Sequence, residues 1–421
     1  MKFDFTKQLG FKITFLFFGL LLFSCSSSTK TLSTSEVKQK SSTTTELKPI
    51  GKIIVGAERF EHYLFDLKNK NVGIVTNQTG VIPVYNHTNN TTSYKHVVDF
   101  LIESQVKVTK IYAPEHGFRG TADAGELIVD GKDTKTGLPI VSLYGANKKP
   151  KPEHVTDINV MIFDIQDVGA RFYTYISTLH YVMEACAENN IELVVFDRPN
   201  PNGTIIDGPI LEKEYSSFVG MHPIPVLHGM TIGEYAKMIN GEGWLKGGIK
   251  CNLKVVPCYN YKREYPYSLP IKPSPNLPND QAINLYASLC LFEGTNVSVG
   301  RGTEKQFQIY GSPFLKEMKF EFTPVPNFGA KEPLHQDKKC FGEDLTKIKK
   351  VTRLELKWLI NAYNHTEDKS TFFNEFFYKL AGTKQLKEQI EKGMTEIEIR
   401  NSWLSGLTNF KNMRKKYLIY N

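Results

Sequence analysis

The stretch from Ala113 to Gly120 carries the densest group of chemically active side chains in this sequence. Its residues APEHGFRG place a carboxyl group, an imidazole and a guanidinium within five positions, at Glu115, His116 and Arg119. A carboxyl group can act as a general acid at neutral pH when burial or a neighbouring charge keeps it protonated. Glu115 is our first candidate for such an acid. A simple ion pair between Glu115 and Arg119 is the structural alternative.

One reaction that uses such a general acid is the cleavage of a glycosidic bond, and this reaction commonly uses a second carboxylate as well. It lies about 5 Å from the acid in enzymes that retain the anomeric configuration and farther away in those that invert it. Asp164 and Asp167 are the favoured candidates because they follow a short apolar run. Asp123 and Glu126 rank below them, and a group of the substrate itself is a further alternative. Each of these acids, taken alone, is more typical of a helix cap or a turn.

Five other side chains are suited to binding a ligand. Arg171 could recognise a carboxylate through two parallel hydrogen bonds, and Tyr173 offers a sugar ring an apolar face and a hydroxyl group. Tyr173 could instead pack in the core at the start of a helix. Asn77 belongs to a polar loop that follows another apolar run. Arg301 and Glu304 lie in the segment GTNVSVGRGTEK, which lacks the spacing of nucleotide-binding motifs.

Four short apolar runs, each followed directly by a polar loop, organise the first half of the chain. The runs cover residues 71–76, 108–112, 158–163 and 191–196, and helical patterns separate them. Strands that alternate with helices predict an α/β fold with a parallel sheet buried on both faces. Ligands of such sheets bind at the carboxyl ends of the strands. We therefore expect the four loops to share one edge and to form one site.

The second half of the chain predicts a smaller lobe. A segment rich in proline, tyrosine and asparagine, residues 259–280, separates it from the sheet. We therefore divide the folded part into a catalytic lobe, 51–258, and a C-terminal lobe, 259–421. Helical patterns with some strand make the C-terminal lobe α+β, and we expect its polar loops to close over the edge of the sheet.

Residues 1–24 have the features of an export signal. Lys7 and Lys12 precede an uncharged apolar run of eleven residues, 13–23. This run is shorter than the ~20 residues that a membrane-spanning helix needs, and its length fits a signal peptide. Ser24 and Cys25 follow this run directly, and Cys25 resembles the lipidated cysteine of bacterial lipoproteins. A plain secretory signal is the alternative.

Residues 25–50 predict a flexible tether, because their serine, threonine and lysine content leaves too little apolar surface to support a fold. We therefore expect attachment to a membrane through an N-terminal lipid. The segment 26–30 has no acidic run, which favours a cell-envelope protein that is anchored in the outer membrane and faces the periplasm.

The distribution of charge argues against binding to nucleic acids. The chain has 52 Lys and Arg against 44 Asp and Glu, a net charge of +8. The first 50 residues and residues 408–421 account for this whole excess, so residues 51–407 carry no net charge. A nucleic-acid-binding protein needs a basic face on its folded part, and we expect none here.

Six sequence blocks, in this order, resemble the bacterial exo-β-N-acetylmuramidase family, long catalogued as a domain of unknown function. The blocks are GIVTNQTG at 73–80, PEHGFRG at 114–120, DIQDVGARFYTY at 164–175, FDRPNPNG at 196–203, PSPNLP at 273–278 and EGTNVSVGRGTE at 293–304. The similarity runs from about Gly51 to the C-terminus, so it covers both predicted lobes.

The resemblance implies a Rossmann-like lobe and a smaller C-terminal lobe, with the active site in the cleft between them. Family members remove N-acetylmuramic acid from the non-reducing ends of peptidoglycan fragments. They are not known to need NAD or a metal, so we expect no cofactor and no metal. Glu115 matches the expected catalytic acid of the family. The resemblance implies substrate-site roles for His116, Arg171, Tyr173, Arg301 and Glu304.

The expected substrate fits an arginine-lined cleft. N-acetylmuramic acid carries a lactyl carboxylate that N-acetylglucosamine lacks, and a buried arginine left unpaired disfavours the analogue. Two other functions stay open on sequence alone. One is a muropeptide-binding lipoprotein without activity. The other is a nucleotide-dependent enzyme, for which fold analogy is the only argument.

Overall fold

The computed structural model describes residues 51–119, 130–145 and 147–420. The strands are β1 (Asn71–Thr76), β2 (Val81–Asn86), β3 (Thr91–His96), β4 (Lys107–Ala113), β5 (Gly131–Lys132), β6 (Pro139–Ser142), β7 (Val160–Asp164), β8 (Glu192–Phe196), β9 (Leu253–Val256), β10 (Ile309–Ser312), β11 (Phe320–Phe322) and β12 (Cys340–Asp344). The α-helices are α1 (Leu64–Leu67), α2 (Val97–Glu103), α3 (Pro152–Val155), α4 (Tyr175–Glu188), α5 (Ile232–Gly241), α6 (Asp280–Leu289), α7 (Lys357–His365), α8 (Phe376–Ala381), α9 (Gln385–Glu391) and α10 (Glu396–Arg414). None of the helices in the described ranges has the length and apolar character needed to cross a bilayer.

Seven strands form the central sheet in the order β5-β6-β4-β1-β7-β8-β9. Every neighbouring pair is parallel except β5 and β6. The four apolar runs of the sequence correspond to β1, β4, β7 and β8, which are adjacent in this sheet. Their carboxyl ends therefore lie at one edge, and the predicted α/β class with a parallel sheet is confirmed.

Strand β7 shows how the sheet is stabilised. All five of its residues are buried. Val160 and Ile162 pack in one hydrophobic core, whereas Met161 and Phe163 pack in the other. Successive side chains of a strand point to opposite faces, so a continuous apolar run is required when both faces are covered. Full burial of each such side chain contributes about 1.5–3 kcal/mol.

A hairpin interrupts the predicted helical region after β1. Apolar spacing over residues 93–104 predicts a helix, but Thr91–His96 is the strand β3, which pairs antiparallel with β2. The helix α2 begins only at Val97. His96 caps it, because its Nδ1 accepts a hydrogen bond from Val98 N at 3.2 Å. This cap marks the change from strand to helix.

The C-terminal lobe combines a three-stranded antiparallel sheet, in the order β10-β12-β11, with helices α7 to α10. This confirms the predicted α+β character of the lobe. Its core is continuous with that of the larger lobe, since Phe163 and Val195 of the central sheet belong to the same cluster as Phe372 and Phe377. The described residues accordingly belong to one compact unit.

The C-terminal end of the chain returns to the central sheet. Tyr420 Oη donates a hydrogen bond to Asp197 Oδ2 at 2.6 Å and accepts one from Cys258 N at 2.7 Å. Burial raises the pKa of Asp197, which follows β8 directly, to about 6. Some polar residues at this edge of the sheet therefore stabilise the fold and do not bind a ligand.

Candidate active site

A cavity of about 250 Å³ lies where the carboxyl end of β4, the start of α4 and the segment after α6 meet. Glu115 and His116 line it from the larger lobe, and Glu293 and Arg301 line it from the smaller lobe. Aromatic residues form much of the remaining wall: Tyr144, Phe172, Tyr173, Tyr175, Phe218, Tyr286, Phe307 and Phe376. Aromatic faces of this kind suit the apolar faces of a sugar ring.

A larger cavity, of about 520 Å³, lies beside the β2–β3 hairpin. Glu58 is the one carboxylate among the described residues that line it, and its Oε1 pairs with Lys52 Nζ at 2.8 Å. This larger cavity offers no second acid and no imidazole. The chemistry therefore places the candidate active site in the smaller cavity.

A tight turn holds Glu115 at the cavity. Gly117 N donates to Pro114 O at 3.0 Å, and His116, at the third position of the turn, has a φ of +70°. This left-handed conformation usually belongs to glycine, and a side chain held in it costs about 1–3 kcal/mol. Such strain is typical of functional sites. Here the turn brings both Glu115 and the buried His116 to the cavity wall.

Hydroxyl groups surround the carboxyl group of Glu115. Thr174 Oγ1, directly before α4, donates to Glu115 Oε2 at 2.7 Å. Burial, and then the negative charge of Glu115, raise the pKa of Tyr144 and of Tyr175 above the ordinary value. Both phenols therefore keep their protons at neutral pH. Thr174 and Tyr144 donate to the Glu115 carboxyl group and hold it in a defined orientation, as proton transfer requires, whereas Tyr175 contacts the backbone oxygen of Glu115.

Asn77 supports the cavity from behind its wall. Asn77 Nδ2 donates to Tyr175 Oη at 2.8 Å, and that hydroxyl lies 3.4 Å from the backbone oxygen of Glu115. Tyr173 Oη donates to Pro273 O at 2.7 Å, and its ring meets that of Tyr175 edge to face with the centroids 4.8 Å apart. Tyr173 therefore lines the cavity, whereas Asn77 contacts it through Tyr175.

The two favoured candidates for a second carboxylate, Asp164 and Asp167, do not line the cavity. Arg198 binds Asp164 in a buried bidentate pair, with Nε–Oδ1 at 2.6 Å and Nη2–Oδ2 at 2.9 Å. Asp167 Oδ2 accepts from Gly169 N at 2.7 Å and lies 3.7 Å from His228 Nε2. Burial raises the pKa of Asp167 to about 7. Both acids have their partners inside the protein, so their positions do not support the predicted catalytic roles.

Glu293 is a second carboxylate at the cavity, and the sequence analysis did not single it out. Arg301 Nε donates to Glu293 Oε1 at 2.6 Å, and the Arg301 guanidinium lies 5.1 Å from the centre of the Phe307 ring. Burial lowers the pKa of Arg301, but the charge and the hydrogen bond of Glu293, with smaller contributions from Tyr286 and Cys290, together raise it above the ordinary value. The one available signal was the position of Glu293 at the head of the block 293–304.

Known proteins resemble this chain along most of its length. The family model for the N-terminal part of exo-β-N-acetylmuramidase NamZ matches residues 72–281, and the model for the C-terminal part matches residues 284–420. The chain belongs to the exo-β-N-acetylmuramidase NamZ family. The NamZ family consists of glycosidases, and the resemblance predicted from the six sequence blocks is confirmed.

Relatives of known sequence or structure agree with NamZ membership. The chain is 42% identical over 382 residues to the peptidoglycan beta-N-acetylmuramidase NamZ of Bacillus subtilis (strain 168), and the match covers 85% of this chain and 89% of that protein. Two crystal structures of DUF1343 family proteins from Bacteroides fragilis NCTC 9343 are similar, one with 43% identity and a TM-score of 0.79, the other with 30% and 0.73. Each of these two matches covers 88% of this chain and 99% of the Bacteroides fragilis chain.

The NamZ resemblance implied that Arg171 contacts the substrate, but this side chain is completely buried. Its Nη1 donates to the backbone oxygens of Pro209 at 2.9 Å and Ile224 at 2.7 Å. Its Nη2 donates to those of Leu380 at 2.9 Å and Ala381 at 2.7 Å. The first two carbonyls belong to the larger lobe and the last two to the smaller lobe. Arg171 therefore joins the lobes and does not line the cavity.

Two other residues with predicted binding roles lie outside the cavity of this NamZ-family protein. Arg119 Nη2 pairs with both carboxylate oxygens of Asp133, at 3.0 and 2.9 Å. The Arg119 guanidinium therefore binds Asp133 and not a ligand. Glu304 is exposed and does not line the cavity. The proposed lipidation site, Cys25, and two candidates for the second carboxylate, Asp123 and Glu126, lie outside the described ranges.

The part of the chain that the structure describes holds no group of three or more His, Cys, Asp or Glu side chains placed to bind a metal ion. The chemistry that the cavity offers is that of an acid held by hydroxyl groups, between aromatic walls and with a guanidinium at the same cavity. This combination suits the binding and protonation of a sugar, as the glycosidase chemistry of the NamZ family requires.

Proposed function

We propose that this protein releases N-acetylmuramic acid from the non-reducing ends of peptidoglycan fragments during cell-wall turnover. The observation that carries the proposal is that Glu115 and Arg301 line one cavity of about 250 Å³. This volume is below the range of about 300–1,000 Å³ typical of drug-sized ligands, so it suits one terminal sugar. The similarity to the peptidoglycan beta-N-acetylmuramidase of Bacillus subtilis supports the choice of substrate.

Glu115 is the general acid in this proposal. It gives its proton to the glycosidic oxygen, which leaves with the electron pair of its bond to the anomeric carbon, and water supplies the new hydroxyl group. Thr174 and Tyr144 hold the carboxyl group in position. General acid catalysis of this kind accelerates a reaction by about 10²–10⁴-fold.

Arg301 selects N-acetylmuramic acid over N-acetylglucosamine in the same proposal. Its Nε donates a hydrogen bond to Glu293, and its two Nη groups have no hydrogen-bond acceptor among the described residues. A lactyl carboxylate fits such a pair of parallel donors. N-acetylglucosamine lacks this carboxylate and would leave the guanidinium unpaired. His116 and Tyr173 line the same cavity and complete the predicted substrate site.

Glu115→Gln tests this function on a disaccharide with N-acetylmuramic acid at its non-reducing end. We expect kcat to fall by about 10²–10⁴-fold with little change in Tm, because glutamine keeps the size of the side chain and still accepts a hydrogen bond from Thr174. Glu153→Gln, at an exposed position, is the matched control and should retain activity. Near wild-type turnover by E115Q, or cleavage of the disaccharide with the reversed sugar order, contradicts the proposal.

We further propose that residues 1–24 are removed as a signal peptide, that Cys25 is lipidated and that residues 25–50 tether the folded part to the outer membrane on its periplasmic side. The composition of these segments supports this, and so does the location of peptidoglycan fragments. In cells fed a labelled fatty acid, we expect the wild-type protein to be labelled and to sediment with membranes. Cys25→Ala should be unlabelled and soluble. A labelled C25A variant, or an unlabelled wild type, contradicts lipidation.

A further inference from the structure

Acidic side chains gather at the carboxyl edge of the central sheet, but most of them face away from the cavity. Asp164, Asp167 and Asp197, at or beyond the ends of β7 and β8, are buried and hydrogen-bonded inside the protein. Among the described residues, Glu115 and Glu293 are the two carboxylates that line the cavity. A glycosidase that uses two acids therefore has one pair available in this part of the chain.

The neighbours of the two carboxylates differ in a way that separates their roles. Glu293 Oε1 accepts from Arg301 Nε at 2.6 Å, and Cys290 Sγ lies 3.4 Å from Glu293 Oε2. Glu293 is therefore held by a guanidinium from its own lobe. The Glu115 carboxyl group accepts a hydrogen bond from Thr174 Oγ1 of the other lobe. Glycosidases place an acid and an anionic carboxylate in different surroundings, and these two side chains meet that description by their contacts.

The backbone holds Glu293 firmly at the cavity wall. The next residue, Gly294, packs so closely on α8 that a Cβ atom there would lie 2.4 Å from the Cα of Phe377. Asn374 N also donates to Gly294 O at 3.0 Å. A side chain larger than hydrogen does not fit at this contact without movement. The carboxylate is therefore positioned before substrate arrives, which electrostatic catalysis requires.

We propose that Glu293 is the second catalytic carboxylate, the anion that faces the anomeric carbon while Glu115 protonates the leaving oxygen. This inference rests on the function proposed above. As the glycosidic bond breaks, its electron pair and the proton of Glu115 go to the leaving oxygen, and the carboxylate of Glu293 balances the positive charge at the carbon. Water then adds to that carbon through its oxygen and loses one proton, which restores the acid form of Glu115.

Two aryl β-glycosides of N-acetylmuramic acid distinguish the roles of the two acids. A dinitrophenyl leaving group departs without a proton, whereas an unsubstituted phenyl group needs one. We expect Glu293→Gln to lower kcat/KM by about 10²–10³-fold with both substrates. Glu115→Gln should lower it by about 10²–10⁴-fold with the phenyl substrate and far less with the dinitrophenyl substrate. Glu317→Gln, at an exposed position of the same lobe, is the control and should match the wild type.

Chemical rescue separates a catalytic loss from a folding defect. Formate added to Glu293→Ala should restore turnover of the dinitrophenyl substrate in proportion to its concentration, because a small anion can occupy the vacated space. Near wild-type activity of E293Q, a loss confined to the phenyl substrate, or a failure of formate to rescue a variant that keeps its Tm overturns this inference alone. A wild type that cleaves neither substrate refutes the proposed function, and the inference with it.

Discussion

Arg171→Met tests whether the buried guanidinium holds the two lobes together. Methionine donates no hydrogen bond, so the four backbone oxygens that Arg171 binds lose this donor. Ile224 O keeps a bond from Leu211 N at 3.1 Å, which leaves three oxygens affected. A buried acceptor without a donor costs about 1–3 kcal/mol. Because loss of the buried charge relieves its own desolvation cost, we take the lower limit, a loss of about 3 kcal/mol.

For a protein of this size, 1 kcal/mol corresponds to about 2 °C in Tm, so thermal unfolding of Arg171→Met should show a decrease of about 6 °C. The KM for the disaccharide at 25 °C should be unchanged, because Arg171 does not line the cavity. Arg301→Met is the matched comparison, since it removes a guanidinium that does line the cavity. Arg171→Met with an unchanged Tm and a raised KM would show that Arg171 binds substrate and would refute this reasoning.

Two further predictions concern Arg301 and Asp167. Arg301→Met should raise KM by about 10–100-fold, because it removes one charge-assisted hydrogen-bonded pair with the substrate. It should also reduce the preference for glycosides of N-acetylmuramic acid over those of N-acetylglucosamine. An unchanged preference contradicts the selectivity argument. The folded pKa of Asp167, about 7, exceeds the unfolded value of about 3.9, so its ionisation costs stability as pH rises from 4 to 7, by up to roughly 4 kcal/mol. Asp167→Asn should therefore raise Tm at pH 8 but not at pH 4, and an equal effect at both contradicts this.

Secondary structure could be predicted from the sequence where the local pattern of apolar residues directly reflects how the element is buried. A buried strand in a parallel sheet must be apolar on both faces, so residues 71–76 could be recognised as β1 without knowledge of its neighbours. The same reasoning failed over residues 93–104, where β3 and α2 follow each other without a break. The helix prediction began at residue 93 because the apolar spacing of α2 was read too far towards the N-terminus. The residues before α2 form β3, which is largely exposed and pairs with β2, a strand earlier in the chain.

The position of Glu115 at the end of a strand, the family and the parallel sheet could all be inferred from short stretches of residues. Which polar side chains reach the cavity could not. Asp164 meets Arg198, 34 residues away, and Arg171 meets Leu380, 209 residues away, so both are withdrawn into the interior. Glu293 comes to the same cavity from the other lobe. The partner of a charged group depends on how distant segments pack, and a local pattern carries no information on that packing.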